Sequence, residues 1–409
     1  MTARLAALVA AGALLGAACT SGAPPDGTGQ AEADVGADVG VDRAAADCED
    51  GVLYFQAGCT PASSVDLDTI VSGGPPPDGI PPIDAPMFES VEAAGEWLND
   101  NSPVQVVTIE GRTKAYPLAI LTWHEIVNDE LSGVPIVVTY CPLCNSGLVF
   151  ERTAAPALGG EEETLTFGTS GRLRHSNLVM YDRMHSNLWQ QFDGEAIVGA
   201  HFLGQVLERV PSQLIGFGEL ARATPNAQVL GRDTGVQRDY GRNPYVRYDA
   251  DDGTPFLYRG PTDARLGQMQ RVVGLGADPD AVAVVRDHLR AQRVVELDLR
   301  GEPVVLLWAP GQASALDSDR IDEGDDIGQV GAFRPVAADG RTLTFTPPGG
   351  EATGFVDSRT GSTWNLFGEA VDGPMTGQQL EAVAHDDTFW FVWFAFQPGT
   401  TILGEHAAS

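Results

Sequence analysis

The sequence predicts an α+β fold, mainly antiparallel β, built as two tandem related repeats that form a pseudo-symmetric body. Three observations predict it. The 409 residues include 48 Gly and 27 Pro, a turn density that suits many short strands better than a helical bundle. The runs Ile136-Val137-Val138-Thr139-Tyr140 and Phe389-Trp390-Phe391-Val392-Trp393-Phe394 are β-branched or aromatic, as core strands are. Finally, blocks of the first half recur in order in the second. Pro135 to Pro142 falls on Pro303 to Pro310, at an offset of 168. Tyr181-Asp182-Arg183, Leu188-Trp189 and Gly194-Glu195-Ala196 return as Val356-Asp357-Ser358, Thr363-Trp364 and Gly368-Glu369-Ala370. The length agrees, because one core seldom grows past roughly 250–300 residues.

Along the chain, residues 1–19 come first. Met1 to Cys19 has one early positive charge, Arg4, then an uncharged apolar run and Gly16-Ala17-Ala18 before Cys19. This is the layout of a bacterial secretory signal with a lipobox-like end, so Cys19 is the expected lipidation site. Residues 20–82 read as an acidic Gly/Ala/Pro-rich tether with a small disulfide loop, and its first part, Thr20 to Asp47, has too few large apolar residues to offset the entropy of ordering. Within it Cys48 and Cys59 bracket a short loop, and an exported compartment favours a disulfide between them. Folded structure is expected from near Ile83. The first repeat, 83–235, should contain a strand from Val104 to Ile109, a short helix around Leu118 to Asn128, and a buried strand from Pro135 to Tyr140. Several strands with Gly turns follow. A connector, 236–270, includes the aromatic turn-rich stretch Arg238 to Tyr245, which either covers the junction or lines a cleft; packing is preferred. The second repeat is 271–409.

With 25 Lys+Arg against 56 Asp+Glu the formal charge is −31, which repels phosphate backbones and anionic headgroups. No nucleic-acid partner is expected, and membrane contact is expected through the N-terminal lipid alone. Gly168-Thr169-Ser170-Gly171 lacks the spacing and Lys of a phosphate loop.

The chemistry is concentrated in one copy. Where the first repeat has His124, Glu125, Cys141 and Cys144, the second has Gln292, Arg293, Ala309 and Gln312. Two-residue spacing lets both thiolates of Cys141-Pro142-Leu143-Cys144 turn toward one ion, and a helix packed on the preceding strand could bring His124 to the same point. His175, Met180, His185, Glu125 or water would complete the set. Sulfur with His and Met suits copper, and paired Cys and His suit zinc. The same pair could also be a redox-active dithiol or a structural disulfide. Asp182, Trp189 and Gly194 recur in the second half, so they read as scaffold.

Ala115-Tyr116-Pro117-Leu118, His124 to Asp129, Thr139 to Cys144 and Leu178 to Arg183 resemble the bacterial and archaeal family catalogued as domain of unknown function 3179, over about residues 83–404. The resemblance implies an exported, often anchored protein with no assigned activity. It also implies a shared set of His124, Cys141 and Cys144, without histidine at the positions of His175 and His185. The leading expectation is therefore a cell-envelope lipoprotein that binds a zinc or copper ion through Cys141, Cys144 and His124, with Glu125 or Asp129 in support. Alternatives are a thiol-disulfide or metal-dependent oxidoreductase, and a non-catalytic binding module using Tyr240, Tyr245 and Trp393 with an inert disulfide.

Overall fold

The computed structural model describes residues 61–250, 253–347, 349 and 354–404. Cys19, Cys48 and Cys59, and with them the expected lipid site and disulfide, lie outside the described residues. Strands account for 40% of the chain and helices for 12%, so α+β with mainly antiparallel sheets is the class.

Three larger sheets and a two-stranded one, Thr153–Ala154 with Glu163–Thr164, carry the first half. One runs Ser212–Gly216, Pro103–Ile109, Arg112–Pro117, Gln228–Leu230, Phe88–Ser90 in spatial order, antiparallel except where Gln228–Leu230 lies parallel to Arg112–Pro117. The second, Arg209–Val210, Ser146–Glu151, Val134–Cys141, Ile126–Leu131, is antiparallel throughout. Ile70–Ser72, Phe167–Arg174, Asn177–Asp182, Leu188–Gln190 and Ala196–Val198 form the third. The second half has three four-stranded sheets, one of which runs Val294–Leu299, Glu302–Ala309, Gln329–Arg334, Glu381–Ala382.

Local chemistry explains the elements around the site. Val134–Cys141 is β-branched along its length, and from Ile136 onward every residue is buried, as a central strand covered on both faces requires. The expected helix is shorter than the span to Asn128. Leu118–His124 stops at Glu125, which takes the left-handed conformation (φ 58°), and the β-branched Ile126 and Val127 then open the strand Ile126–Leu131. Folded structure also starts earlier than Ile83. Ile70–Ser72 pairs with Phe167–Arg174, and the Pro-rich stretch behind it is tied down by Gly73 N to Gly171 O at 2.8 Å and Asp78 N to Thr169 O at 2.8 Å. Gly171 has φ 71°, and a Cβ there would collide with Pro75 O, so only glycine allows this close approach.

The aromatic run expected as a strand is a helix. Phe389 ends the strand His385–Phe389, and Trp390–Phe396 coils with Trp390, Phe391, Val392 and Trp393 buried. Burial on most of its circumference outweighs the β preference of its aromatic residues. The Trp393 ring lies where a Cβ on Gly274 would sit, so that glycine lets the helix lie on the strand beneath it.

The halves share their largest core. Tyr116, Ile120, Tyr140 and Phe150 belong to the same buried cluster as Val272, Ala283, Trp390 and Trp393. Arg209 grips Asp386 through two bonds of 2.7 and 2.9 Å across the halves, and Arg286 pairs with Asp387 within the second. The conformation of the Cys141–Cys144 segment depends on the second half as well. Thr388 Oγ1 donates to Cys144 O (2.8 Å) and Asn145 Nδ2 to Asp387 O (3.1 Å).

Candidate functional site

Cys141 ends the central strand, and Pro142–Cys144 forms a single 3-10 turn closed by Asn145 at φ 53°. Both cysteines are free and buried. The turn brings their sulfurs to one acceptor: Ser176 O lies 3.8 Å from Cys141 Sγ and 3.4 Å from Cys144 Sγ. This carbonyl is presented by the hairpin joining Phe167–Arg174 to Asn177–Asp182. Arg174 pairs with Asn177, so His175 and Ser176 are the two turn residues, at φ 54° and 65°. Such a turn is normally Asn-Gly; a His-Ser pair is strained there, and it is held by Ser176 Oγ donating to Phe256 O at 2.5 Å.

Behind the sulfurs is a buried polar network. Asn177 Nδ2 donates to Cys144 Sγ at 3.5 Å and to Gln191 Oε1 at 2.6 Å. Gln191 Nε2 in turn reaches Thr139 Oγ1 at 2.9 Å. Burial pushes the Cys144 thiol well above its usual value, the neighbouring Cys141 adds to this, and the Asn177 bond opposes it.

Leu143 of the cysteine turn also lines a cavity of about 330 Å³, together with Glu125, Arg172, Tyr245, Tyr248 and Phe256; the sulfurs themselves do not line it. Glu125 is 8% exposed, and no described residue hydrogen-bonds its carboxyl group. Burial pushes its pKa from 4.5 up to about 8, so it is largely protonated at neutral pH. A neutral carboxylic acid in an apolar cavity can donate a hydrogen bond or a proton to whatever enters. Tyr248 OH donates to Leu143 O at 3.1 Å, fastening the connector onto the cysteine turn. The aromatic connector thus both packs on the core and lines the cleft.

The sequence-predicted residues fall in different places. His124 is fully buried, and both of its ring nitrogens are engaged, Nδ1 with Pro81 O at 2.6 Å and Nε2 with Tyr240 OH at 2.7 Å. His175 is edge-on to Tyr258 and Phe396, and burial lowers its pKa to about 4. Met180 is buried in the main core. Asp129 is tied to Lys114 and Tyr116 at 2.7 Å each. Asp182 and Trp189 are a structural clasp, Trp189 Nε1 donating to Asp182 Oδ2 at 3.0 Å, and Trp364 does the same to Asp357 Oδ2 at 3.1 Å.

Among the described residues, Glu163, His185 and His201 are the set of three whose donor atoms all lie within 4.8 Å of one another and could hold a metal ion; Cys141, Cys144 and His124 do not form such a set. Sequence reasoning missed Ser176, Asn177 and Gln191, and it missed Tyr248 and Phe256 in the cavity wall. A backbone carbonyl carries no sequence signal, and the polar network joins residues more than a dozen positions apart. No curated protein and no solved structure matches the chain. A family model described as "Protein of unknown function (DUF3179)" matches residues 77–400, and the chain belongs to that family.

Proposed function

We propose that this chain is a cell-envelope lipoprotein whose Cys141 and Cys144 hold a zinc or copper ion, with Ser176 O as the third donor. The convergence of two sulfurs on that carbonyl carries this reading. With bonds of about 2.3 Å to sulfur and about 2.2 Å to oxygen, tetrahedral ligands lie about 3.7 Å apart. The observed separations are 3.8 and 3.4 Å. Asn177 supports the charged form of Cys144 as an outer partner. Burial holds Cys144 as a thiol on its own, but binding of a divalent ion displaces the thiol protons, and two thiolates then neutralise the ion's charge. His124 then positions the wall of the site through Pro81 and Tyr240, and Glu125 faces the cavity side. The lipid anchor rests on Met1 to Cys19, and Cys19→Ser should move the protein from the membrane to the soluble fraction.

The second half acts as a related repeat that has kept the scaffold. Leu118–His124, Ile126–Leu131 and Val134–Cys141 have counterparts in Arg286–Gln292, Val294–Leu299 and Glu302–Ala309. Ile126 pairs with Thr139 as Val294 does with Leu307, at the same 168-residue offset. The left-handed Glu125 is matched by Arg293 at φ 62°, so that backbone turn belongs to the scaffold and the carboxyl group is the addition.

Metal analysis of protein made without a histidine tag is the test. About one ion per chain is expected for the wild type and for His124→Ala, with loss in Cys141→Ser and Cys144→Ser. Substoichiometric metal in wild type and Cys141→Ser alike would sink the idea. A redox dithiol is the second reading, favoured by two sulfurs sharing one acceptor. Against it stands the burial that keeps Cys144 a thiol and hence a poor nucleophile. Mass measured after alkylation in denaturant, with and without reductant, distinguishes a disulfide from two thiols.

A further inference from the structure

We propose that Glu163, His185 and His201 form a second site for a divalent transition-metal ion, zinc or copper(II), independent of the cysteine pair. The three come from separate segments: Glu163 from the strand Glu163–Thr164, His185 from the turn after Asn177–Asp182, and His201 from the loop after Ala196–Val198. Nothing local requires them to meet. Nevertheless His185 Nε2 lies 2.8 Å from Glu163 Oε2, and His201 Nε2 lies 3.0 Å from Glu163 Oε1. The two histidines hydrogen-bond to different oxygens of the one carboxylate, and the three donor atoms lie within 4.8 Å of one another, so modest side-chain rotation brings them to the separation of about 3.4 Å that tetrahedral ligands at about 2.1 Å require.

The two imidazoles are stacked, with centroids 3.6 Å apart and an interplanar angle of 13°. The stacking keeps both Nε2 atoms directed at the one carboxylate. Occupation needs the rings to splay until both lone pairs meet. Their side chains, 25% and 30% exposed, have room to do so on the solvent side. Phe202, fully buried, backs both rings, at 5.5 Å from His185 and 4.6 Å from His201. Solvent fills the remaining coordination positions. Two nitrogens and a carboxylate oxygen suit zinc and copper(II).

The turn itself does not explain His185. Asp182 Oδ1 accepts from His185 N at 2.6 Å, and in the second half Asp357 Oδ1 accepts from Thr360 N at the same distance. Thr360 bonds back to its own aspartate, Oγ1 to Asp357 Oδ2 at 2.6 Å, whereas His185 reaches out to Glu163. The same backbone thus works with a threonine, and the imidazole is an addition directed at the other two groups.

The probe is Co²⁺, titrated into full-length, chelator-stripped protein without a histidine tag, and Zn²⁺ is used in competition. A component with visible ligand-field absorption and no thiolate-to-cobalt charge transfer is expected. His185→Ala, His201→Ala and Glu163→Gln should each weaken it at least about 10-fold, since loss of even an outer partner costs about 10–100-fold. Any charge-transfer band from the cysteines should persist in those variants. Cys141→Ser should leave the histidine component intact, so either site can fail without the other. In the wild type, Zn²⁺ should protect His185 and His201 from diethyl pyrocarbonate, read by peptide mass, a measurement that needs no variant to fold. Unprotected histidines, or unchanged affinity in the His185→Ala/His201→Ala double variant, overturn the site.

Discussion

Replacing Glu125 with glutamine should change how the stability of this protein depends on pH. The carboxyl group is buried, unpaired among the described residues and raised from 4.5 to about 8 by desolvation. Between those values the folded state holds a proton that the unfolded state has released. The stability attached to this group is therefore fully present below pH 4.5 and is lost as the pH rises through 8. The slope is about 1.4 kcal/mol per pH unit, and the whole shift gives an upper bound of about 5 kcal/mol, which water in the cavity reduces. Glutamine keeps the shape and cannot ionise. Urea unfolding of chelator-stripped wild type and Glu125→Gln at half-unit steps from pH 5 to 9 isolates the effect, because the other titrating groups largely cancel in the difference. Glu125→Gln should gain on the wild type steadily and level off above pH 8. A flat difference, or one that falls with pH, would mean the carboxylate is ionised and paired in the folded protein, which would refute the reasoning.

Asp182→Ala and Asp357→Ala should destabilise by similar amounts, about 3 kcal/mol or more each in urea unfolding. Each leaves a buried tryptophan N–H and two or more turn N–H groups unpaired. Asp182→Ala should additionally weaken Co²⁺ binding at His185, whereas Asp357→Ala should not. Lys114→Met should cost about 3–5 kcal/mol by leaving Asp129 buried without its ion pair, and Lys114→Met/Asp129→Leu should recover much of that loss.

Periodicity and composition carried much of the fold. Val134–Cys141 is visible because its β-branched residues are buried on both faces, a property each residue expresses alone. The aromatic run after Phe389 was misleading for the converse reason. Six large apolar residues satisfy a buried strand or a buried helix equally, and the glycine at 274 that favours the helix stands far away in sequence. Glu125 illustrates both sides. Its type and its absence from the second half were legible, but its raised pKa comes from a cavity whose walls are drawn from four segments.

The sequence by itself determined the class of fold, the boundaries of the central strands, the pairing of the two cysteines on one turn and the family. Each depends on neighbours within a few residues or on recurrence along one chain. Only the tertiary structure decided which groups face those sulfurs. His124, a neighbour by sequence argument, spends both nitrogens on Pro81 and Tyr240, and the acceptor beside the thiols is the Ser176 carbonyl at the tip of a hairpin. Every residue has a carbonyl, so its sequence cannot single one out. Long-range packing, which places the second half's Thr388 and Asp387 against the cysteine turn and the connector over the cavity, made the selection.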